Sequence, residues 1–203
     1  MINQYKHLIH STRHFENLNI QAGSDYRYQD ILSLKSFELA NKEISSWDRY
    51  ESTPLHSLSD LASDNGVSLI AYKDESHRFS LKSFKALGGA YAVANLLIKK
   101  LKEEGIEAKS SDLIAGTYSE ITSKITVCCA TDGNHGRSVA WGAQKFGCNC
   151  EIYIHRTVSV AREEAIAKYG AIVNRINGNY DESVHIAAEV SESNGYYVVS
   201  DTS

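Results

Sequence analysis

Residues 125–147, ITVCCATDGNHGRSVAWGAQKFG, contain the clearest strand–helix unit in the chain. Ile125–Ala130 is an apolar run of strand length. After a polar loop that contains glycines, apolar residues recur at steps of three and four, as Val139, Ala143 and Phe146. This spacing predicts an amphipathic helix, and the glycine that ends the segment predicts where the helix stops.

Strands and helices are predicted to alternate on both sides of this unit. The other predicted strands are Val67–Tyr72, Glu151–Ile154, Ala171–Ile176 and Tyr196–Ser200. The other predicted helices run from about Leu58 to Asn65 with Ser57 or Ser59 as a cap, from Lys85 to Leu101, from a Ser159 cap to Tyr169, and from Asp181 to Ser193. This order implies parallel strands with helices on both faces of the sheet. The predicted fold class is α/β, with a three-layer parallel-sheet domain.

Two segments lack a clear periodic spacing of apolar residues. Residues 1 to about 50 are polar with scattered aromatic residues and are predicted to wrap a surface, and residues 103–123 are predicted to be a polar connection with a short element. The helix that follows Lys85 has a strong period, and its predicted apolar face consists of Phe84, Leu87, Tyr91, Ala94, Ile98 and Leu101.

Composition is typical of a soluble protein with a real core. Of the 203 residues, 42% are hydrophobic and 23% are charged, and the formal net charge is −4. This weak acidity argues against a nucleic-acid-binding protein, which needs a basic face. No apolar stretch suits a signal sequence or a membrane span, and the four cysteines have neither zinc-site nor disulfide-scaffold spacing. We expect a cytoplasmic protein without a metal site, in which Cys128 and Cys129 are small buried residues.

Lys85 lies in the segment Ser83-Phe84-Lys85, directly before a helix whose first residues include Gly88 and Gly89. A lysine amine becomes reactive when it is desolvated or condensed with a carbonyl. A cation is disfavoured at the positive end of a helix dipole, so a neutral adduct or a nearby phosphate would suit this position. The glycines would let a flat ring approach the backbone. On these local grounds a solvated surface lysine is an equal alternative.

The loop Asp132-Gly133-Asn134-His135-Gly136 joins the strand and the helix described first. Capping of the helix by Asp132 or Asn134 is the simpler interpretation of either residue alone. The loop nevertheless combines an acid, an amide, an imidazole and two glycines in five positions, which favours a ligand site. In such a site Asn134 would bind an oxygen anion and Asp132 would move a proton, whereas His135 is more typical of a local hydrogen bond.

Asp201 follows the last predicted strand, at the same edge of the sheet as the loop after Ala130. Ligands of open α/β sheets bind beyond the carboxyl ends of the strands. The position therefore suits a third catalytic group, although a turn residue is the simpler interpretation of Asp201 alone.

Together these segments resemble the fold-type II enzymes that use pyridoxal phosphate (PLP), and within that group the diaminopropionate ammonia-lyases. The resemblance covers about Thr53 to Ser203, and its main segments are Lys73–Ser76, Arg78-Phe79, Ser83–Ala92, Thr131–Arg137, Val139–Trp141 and Asp201-Thr202. Asp132 is the most specific position, because dehydratases of the wider group tend to carry a small hydroxyl residue there.

The resemblance implies PLP as the cofactor, a small amino acid as the substrate, and a homodimer as the full-length form. Lys85 would hold PLP and take the α-proton of one enantiomer of 2,3-diaminopropionate, and Asp132 would take the α-proton of the other. Asp201 would assist binding or protonation of the departing amine. The cofactor would also be lined by Phe84, Gly133, Asn134 and His135. The reaction would be an α,β-elimination that yields pyruvate and ammonia.

The same resemblance divides the chain into three parts. Residues 1–91 would belong to a large PLP-binding domain, residues 92–200 would form the small α/β domain, and residues 201–203 would start the return to the large domain. Family members are longer and bind the phosphate with a later glycine-rich loop, so we expect an N-terminal portion with little activity alone. The alternatives are a threonine or serine dehydratase of the same group and a non-catalytic remnant that binds a partner.

Overall fold

The structure, a computed structural model, describes residues 32–201. The chain divides into one unit over Met1–Phe37 and a second over Glu38–Ser203. The predictions made for residues 1–31 and 202–203 lie outside the described residues. Within residues 32–201, no helix is both long enough and apolar enough to span a lipid bilayer.

The described elements follow one another in an alternating order. The helices are α1 (Leu34–Ser45), α2 (Ser59–Asp64), α3 (Ala86–Glu103), α4 (Ser110–Ile114), α5 (Ser119–Thr122), α6 (Asn134–Phe146), α7 (Val160–Ala167) and α8 (Tyr180–Asn194), with a 3₁₀ segment over Glu75–Ser80. The strands are β1 (Leu55–Ser57), β2 (Ala71–Lys73), β3 (Thr126–Thr131), β4 (Asn149–Ile154), β5 (Ile172–Arg175) and β6 (Tyr197–Val198).

The main sheet is parallel and has the strand order β5-β4-β3-β6. Side chains alternate between its two faces, because Cys129 packs in the cluster that contains α3 and α6, whereas Cys128 packs with Ala187 of α8. The predicted α/β fold with helices on both faces is confirmed. Since β3 lies between β4 and β6, residues that follow the carboxyl ends of these three strands come together at one edge.

The cysteines are free thiols, and the two on β3 are fully buried as predicted. Burial raises the pKa of the Cys128 thiol to about 11. A protonated thiol is a poor nucleophile, so Cys128 acts as a small apolar residue of the core.

Helices α3 and α6 pack closely because glycines lie at their contact. A Cβ atom on Gly142 would lie 2.8 Å from Cα of Ala90, and one on Gly89 would lie 2.5 Å from Oγ of Ser138. Gly89 therefore has a role in helix packing that the sequence did not predict. The buried face of α3 consists of Ala86, Gly89, Ala90, Val93, Ala94, Leu97 and Leu101. The predicted face was displaced from it, and Phe84 precedes the helix with 58% of its surface exposed.

The prediction that residues 1 to about 50 lack a periodic element was wrong for the described part of this segment. Helix α1 occupies part of it, and Ile44 and Trp47 belong to the buried core. The Trp47 ring lies 5.4 Å from that of Phe146, and its indole N–H donates to Oε1 of Glu43 at 2.9 Å. The helical period was hidden because large apolar residues of α1, such as Leu39, are exposed.

The strand predicted over Val67–Tyr72 is shorter, begins later and lies outside the parallel sheet. Strand β2 instead pairs antiparallel with β1, and every residue of both strands is exposed. Val67 and Leu69 face solvent in this structure. The predicted serine cap of α2 is also wrong, since Leu58 occupies the N-cap position without a side-chain cap.

Other element boundaries differ by a few residues. The polar connection contains two short helices, α4 and α5, and α7 ends at Ala167 rather than at Tyr169. Ser159 holds the N-cap position of α7 but makes no side-chain cap hydrogen bond. Strand β6 pairs over Tyr197 and Val198 only, so the last strand is shorter than predicted.

Candidate active site

The backbone of Lys85 is fixed at the N-terminus of α3. Lys85 occupies the N-cap position, and its N–H donates to Oγ of Ser83 at 3.2 Å. Its carbonyl accepts hydrogen bonds from the N–H groups of Gly88 at 3.1 Å and Gly89 at 2.9 Å, and from Oγ of Ser138 at 2.8 Å. The sequence predicted the start of this helix correctly, but not the contact from α6.

The Lys85 side chain reaches the carboxylate that follows β6. Its Nζ lies 2.7 Å from Oδ2 of Asp201, and the two side chains are 34% and 25% exposed. The same Nζ lies 5.7 Å from the centroid of the Phe84 ring. The hydrogen bond from Lys85 is the main reason why the pKa of Asp201 is lowered, with a smaller contribution from the charge of His135. Asp201 is therefore an ionised carboxylate at neutral pH.

Replacement of Lys85 by methionine is expected to raise the pKa of Asp201 towards its ordinary range, because the main hydrogen bond to the charged form is lost. In the wild type, the lowered pKa contributes stability that is present above the unfolded pKa of about 3.9 and is lost as the pH falls through the folded pKa. Carboxyl ¹³C NMR titration would measure the change. The matched control is Lys100→Met, which should raise the pKa of Glu103, its partner at 2.7 Å, and leave Asp201 unchanged. An unchanged Asp201 pKa in the Lys85 variant would show that the hydrogen bond from Lys85 is not the main cause of the lowered pKa.

His135 links the first turn of α6 to the end of β6. The side chain is 6% exposed, and its Nε2 lies 2.6 Å from the carbonyl oxygen of Val199. A carbonyl oxygen only accepts hydrogen bonds, so Nε2 carries a proton and donates. The other ring nitrogen, Nδ1, lies 4.0 Å from Oδ2 of Asp201. His135 thus anchors the backbone that carries Asp201, through a long-range hydrogen bond rather than the predicted local one.

The turn between β3 and α6 is capped by Thr131 and not by the acid or the amide. Oγ1 of Thr131 accepts hydrogen bonds from the N–H groups of Gly133 and Gly136, each at 3.1 Å. The N-cap position belongs to Gly133, and no side-chain cap is formed there. Asp132 and Asn134 are exposed. The capping interpretation of these two residues is therefore wrong, and their side chains remain available for a ligand.

Two adjoining cavities bring the predicted site residues together. One, of about 250 Å³, is lined by Lys85, Asp132, Gly133, Asn134, His135, Arg162 and Asp201. The other, of about 360 Å³, shares Lys85, His135 and Asp201 with the first and adds Phe84, Leu87, Gly88, Gly89, Ala92, Val199 and Ser200. Every residue that the sequence singled out for catalysis or cofactor binding thus lines one of these cavities.

Sequence reasoning missed Arg162, which lines the first cavity, and Ser138, which contacts the Lys85 backbone from α6. NH1 of Arg162 donates to the main-chain oxygen of Asp132 at 3.2 Å. The Arg162 stem passes over Gly133, where a Cβ atom would lie 3.5 Å from its Cδ. The topology of the sheet could have indicated Arg162. This residue lies in the first turn of the helix that follows β4, and β4 is the neighbour of β3. For Ser138, only the structure shows the contact with Lys85.

The sequence pattern shared by pyridoxal-phosphate-dependent enzymes matches residues 47–203. The chain belongs to this PLP-dependent enzyme family. Among the similar sequences of the family, diaminopropionate ammonia-lyase of Escherichia coli strain K12 is 43% identical over 153 residues, which cover 75% of this chain and 37% of the relative. The corresponding enzyme of Salmonella typhimurium is 40% identical over 156 residues, with 75% and 38% coverage.

Solved structures of PLP-dependent family members support the same assignment. The holo form of E. coli diaminopropionate ammonia-lyase superposes with a TM-score of 0.75 at 38% identity, over 83% of this chain and 42% of that one. A PLP-dependent aspartate racemase superposes with a TM-score of 0.63 at 22% identity, which shows the shared fold alone. This family member spans less than half the length of the diaminopropionate ammonia-lyases that it matches.

The described residues fit the aldehyde and the ring of PLP. The Lys85 amine is partly exposed in a cavity where a covalent carbonyl adduct has room, and the ring of Phe84 lies beside it. The Asn134 side chain has no capping role and lines the same cavity. When bound there, PLP supplies an electron sink that acidifies the proton on Cα of an amino acid. Lys85, Phe84, Gly133, Asn134 and His135 are the residues that would hold it.

Proposed function

We propose that this chain carries part of the active site of a PLP-dependent enzyme that eliminates ammonia from 2,3-diaminopropionate. The reaction consumes one water molecule and converts diaminopropionate into pyruvate and ammonia, with both amino groups leaving as ammonia. The observation that carries the proposal is that Lys85, Asp132 and Asp201 line one cavity of about 250 Å³. The similarity to two bacterial diaminopropionate ammonia-lyases supports it.

The roles proposed for the three residues follow from their charge and place. Lys85 holds the cofactor and takes the proton from Cα of one enantiomer of the substrate. Asp132, which is exposed and directly follows β3, takes the Cα proton of the other enantiomer. When the two enantiomers bind in the same orientation, the proton on Cα points to opposite faces, and one base on each face can take it.

Asp201 is proposed to bind the β-ammonium group of the substrate. Its lowered pKa keeps the carboxylate ionised at neutral pH, so binding of a cation suits it better than donation of its own proton. A substrate whose β-substituent is an ammonium group matches this cavity, which is lined by two carboxylates. A neutral hydroxyl group at the same carbon would interact less favourably with the two carboxylates.

A threonine or serine dehydratase is the second candidate. A chloroplastic threonine dehydratase of Solanum lycopersicum is 28% identical over 172 residues, which cover 84% of this chain and 23% of the relative. Asp132 favours the ammonia-lyase over this candidate, because a carboxylate at that position provides the second base. The finer expectations of a large and a small domain divided near residue 91, of a cytoplasmic location and of a full-length homodimer belong to the same proposal.

The function is tested with a fusion of this chain to the part of the E. coli relative that follows the matched segment. Release of pyruvate and ammonia is measured with diaminopropionate, serine and threonine as substrates. We expect kcat/KM for diaminopropionate to exceed that for either hydroxy amino acid by more than about tenfold. Higher turnover of serine or threonine would favour the dehydratase. Absence of PLP binding in the fusion would favour the non-catalytic remnant.

A further inference from the structure

Ser138 lies on α6 and joins this helix to the backbone of Lys85. It is buried, with 1% of its surface exposed. Its Oγ donates to the carbonyl oxygen of Lys85 at 2.8 Å and accepts from the N–H of Ala90 at 3.2 Å. The hydroxyl thus uses its proton and one lone pair on two backbone groups of α3, and no water is needed to satisfy it.

The opposing glycine leaves the space that this contact requires. A Cβ atom on Gly89 would lie 2.5 Å from Oγ and 3.0 Å from Cβ of Ser138. These separations are too short for a side chain, so the hydroxyl reaches α3 because position 89 lacks one. Gly89 and Ser138 therefore form a complementary pair across the two helices.

The segment before Lys85 has a backbone conformation that its own residues do not favour. Phe79, Ser80 and Lys82 have φ angles of 48°, 60° and 53°. Residues with side chains avoid this left-handed region, and they occupy it where the surrounding structure imposes it. Lys85 thus begins α3 directly after a strained stretch, and its place depends on contacts with the rest of the fold.

We propose that Ser138 is a positioning residue, which fixes the direction in which the Lys85 side chain leaves α3 and so brings the amine to Asp201 and the cavity. The inference rests on the proposed function, because it assigns the covalent role to Lys85. Within residues 32–201, the hydrogen bond from Ser138 is the side-chain contact that ties the Lys85 carbonyl to another helix. A displacement of about 1 Å at a reacting group costs up to about 10²-fold in rate.

The test measures how fast the amine of Lys85 reacts with PLP in the 203-residue chain. The amine and the aldehyde condense with loss of water, and borohydride then delivers hydride to the carbon–nitrogen double bond, so that mass spectrometry of peptides locates the label. Lys100 is the internal reference, because it also has an ion pair at 2.7 Å and lies on the same helix. In Ser138→Ala the ratio of Lys85 label to Lys100 label is expected to fall about tenfold.

A matched variant separates positioning from general loss of a buried hydroxyl. Ser183 is also fully buried, and its Oγ donates to the carbonyl of Asn179 at 3.0 Å in α8. Ser183→Ala should leave the labelling ratio unchanged. An unchanged ratio in Ser138→Ala would overturn the positioning role while leaving the proposed function intact. Labelling of the wild-type fusion enzyme without preference for Lys85 over Lys100 would overturn both.

The Gly89 contact gives a second test that does not depend on Ser138→Ala. Gly89→Ala alone should lower thermal stability, because the new Cβ meets the Ser138 side chain. Combining it with Ser138→Gly provides room for that Cβ and should restore much of the stability. We expect the double variant to keep the low labelling ratio of Lys85, since the hydroxyl is still missing. Recovery of the wild-type ratio together with stability would show that packing alone places Lys85.

Discussion

Replacement of Lys85 by alanine is expected to abolish trapping of PLP by borohydride at this position and to reduce turnover of diaminopropionate by at least about 10²–10⁴-fold. Lys85 is proposed to supply both the covalent link and one of the two bases, so a single substitution should remove two contributions. Trapping is measured in the 203-residue chain and turnover in the fusion with the E. coli remainder. Lys85→Arg retains a cation that can pair with Asp201 but cannot condense with an aldehyde, and it should be equally inactive.

The control for this prediction is Lys100→Ala. Lys100 forms an ion pair of the same length near the other end of α3, with Glu103. Its loss should leave both trapping and turnover unchanged. Label that moves to another lysine without loss of activity in Lys85→Ala would show that the covalent role belongs elsewhere.

The parallel sheet was predictable because its two central strands, β3 and β4, are largely buried on both faces. Strand β3 is a continuous apolar run, and the helix after it has a strict apolar period that ends at Gly147 in the left-handed conformation. In helix α1, which is only partly buried, the pattern of apolar residues failed to predict the element. Helix α1 exposes Leu39 and buries Trp47 just beyond its end, so its sequence shows no clear period.

The membership of the site was predictable from topology, but its geometry was not. Asp132 and Asp201 follow strands that are neighbours in the sheet, and polar residues at the carboxyl ends of such strands converge. The partners of these residues come from elements that are distant in sequence. Thr131 takes the capping role, and Ser138 holds Lys85 across a separation of 53 positions. No local spacing encodes such contacts, because they depend on how closely two helices approach.

Asp132→Asn is expected to separate the two enantiomers of diaminopropionate. The amide fills the same space but cannot accept a proton at neutral pH, so the enantiomer that depends on Asp132 should lose about 10²–10⁴-fold in kcat/KM. The other enantiomer, for which Lys85 is the proposed base, should change by less than about tenfold. Both rates are measured in the fusion enzyme with separate D- and L-diaminopropionate.

The enantiomer ratio is informative because general damage to the site cannot produce it. Poor folding or weak PLP binding would lower both rates by the same factor and leave their ratio at the wild-type value. Asp201→Asn provides the matched comparison, since its carboxylate lines the same cavity but is proposed to bind the β-ammonium group. That variant should raise KM for both enantiomers together. Equal losses for the two enantiomers in Asp132→Asn would remove Asp132 from the proton transfer and leave Lys85 as the single base.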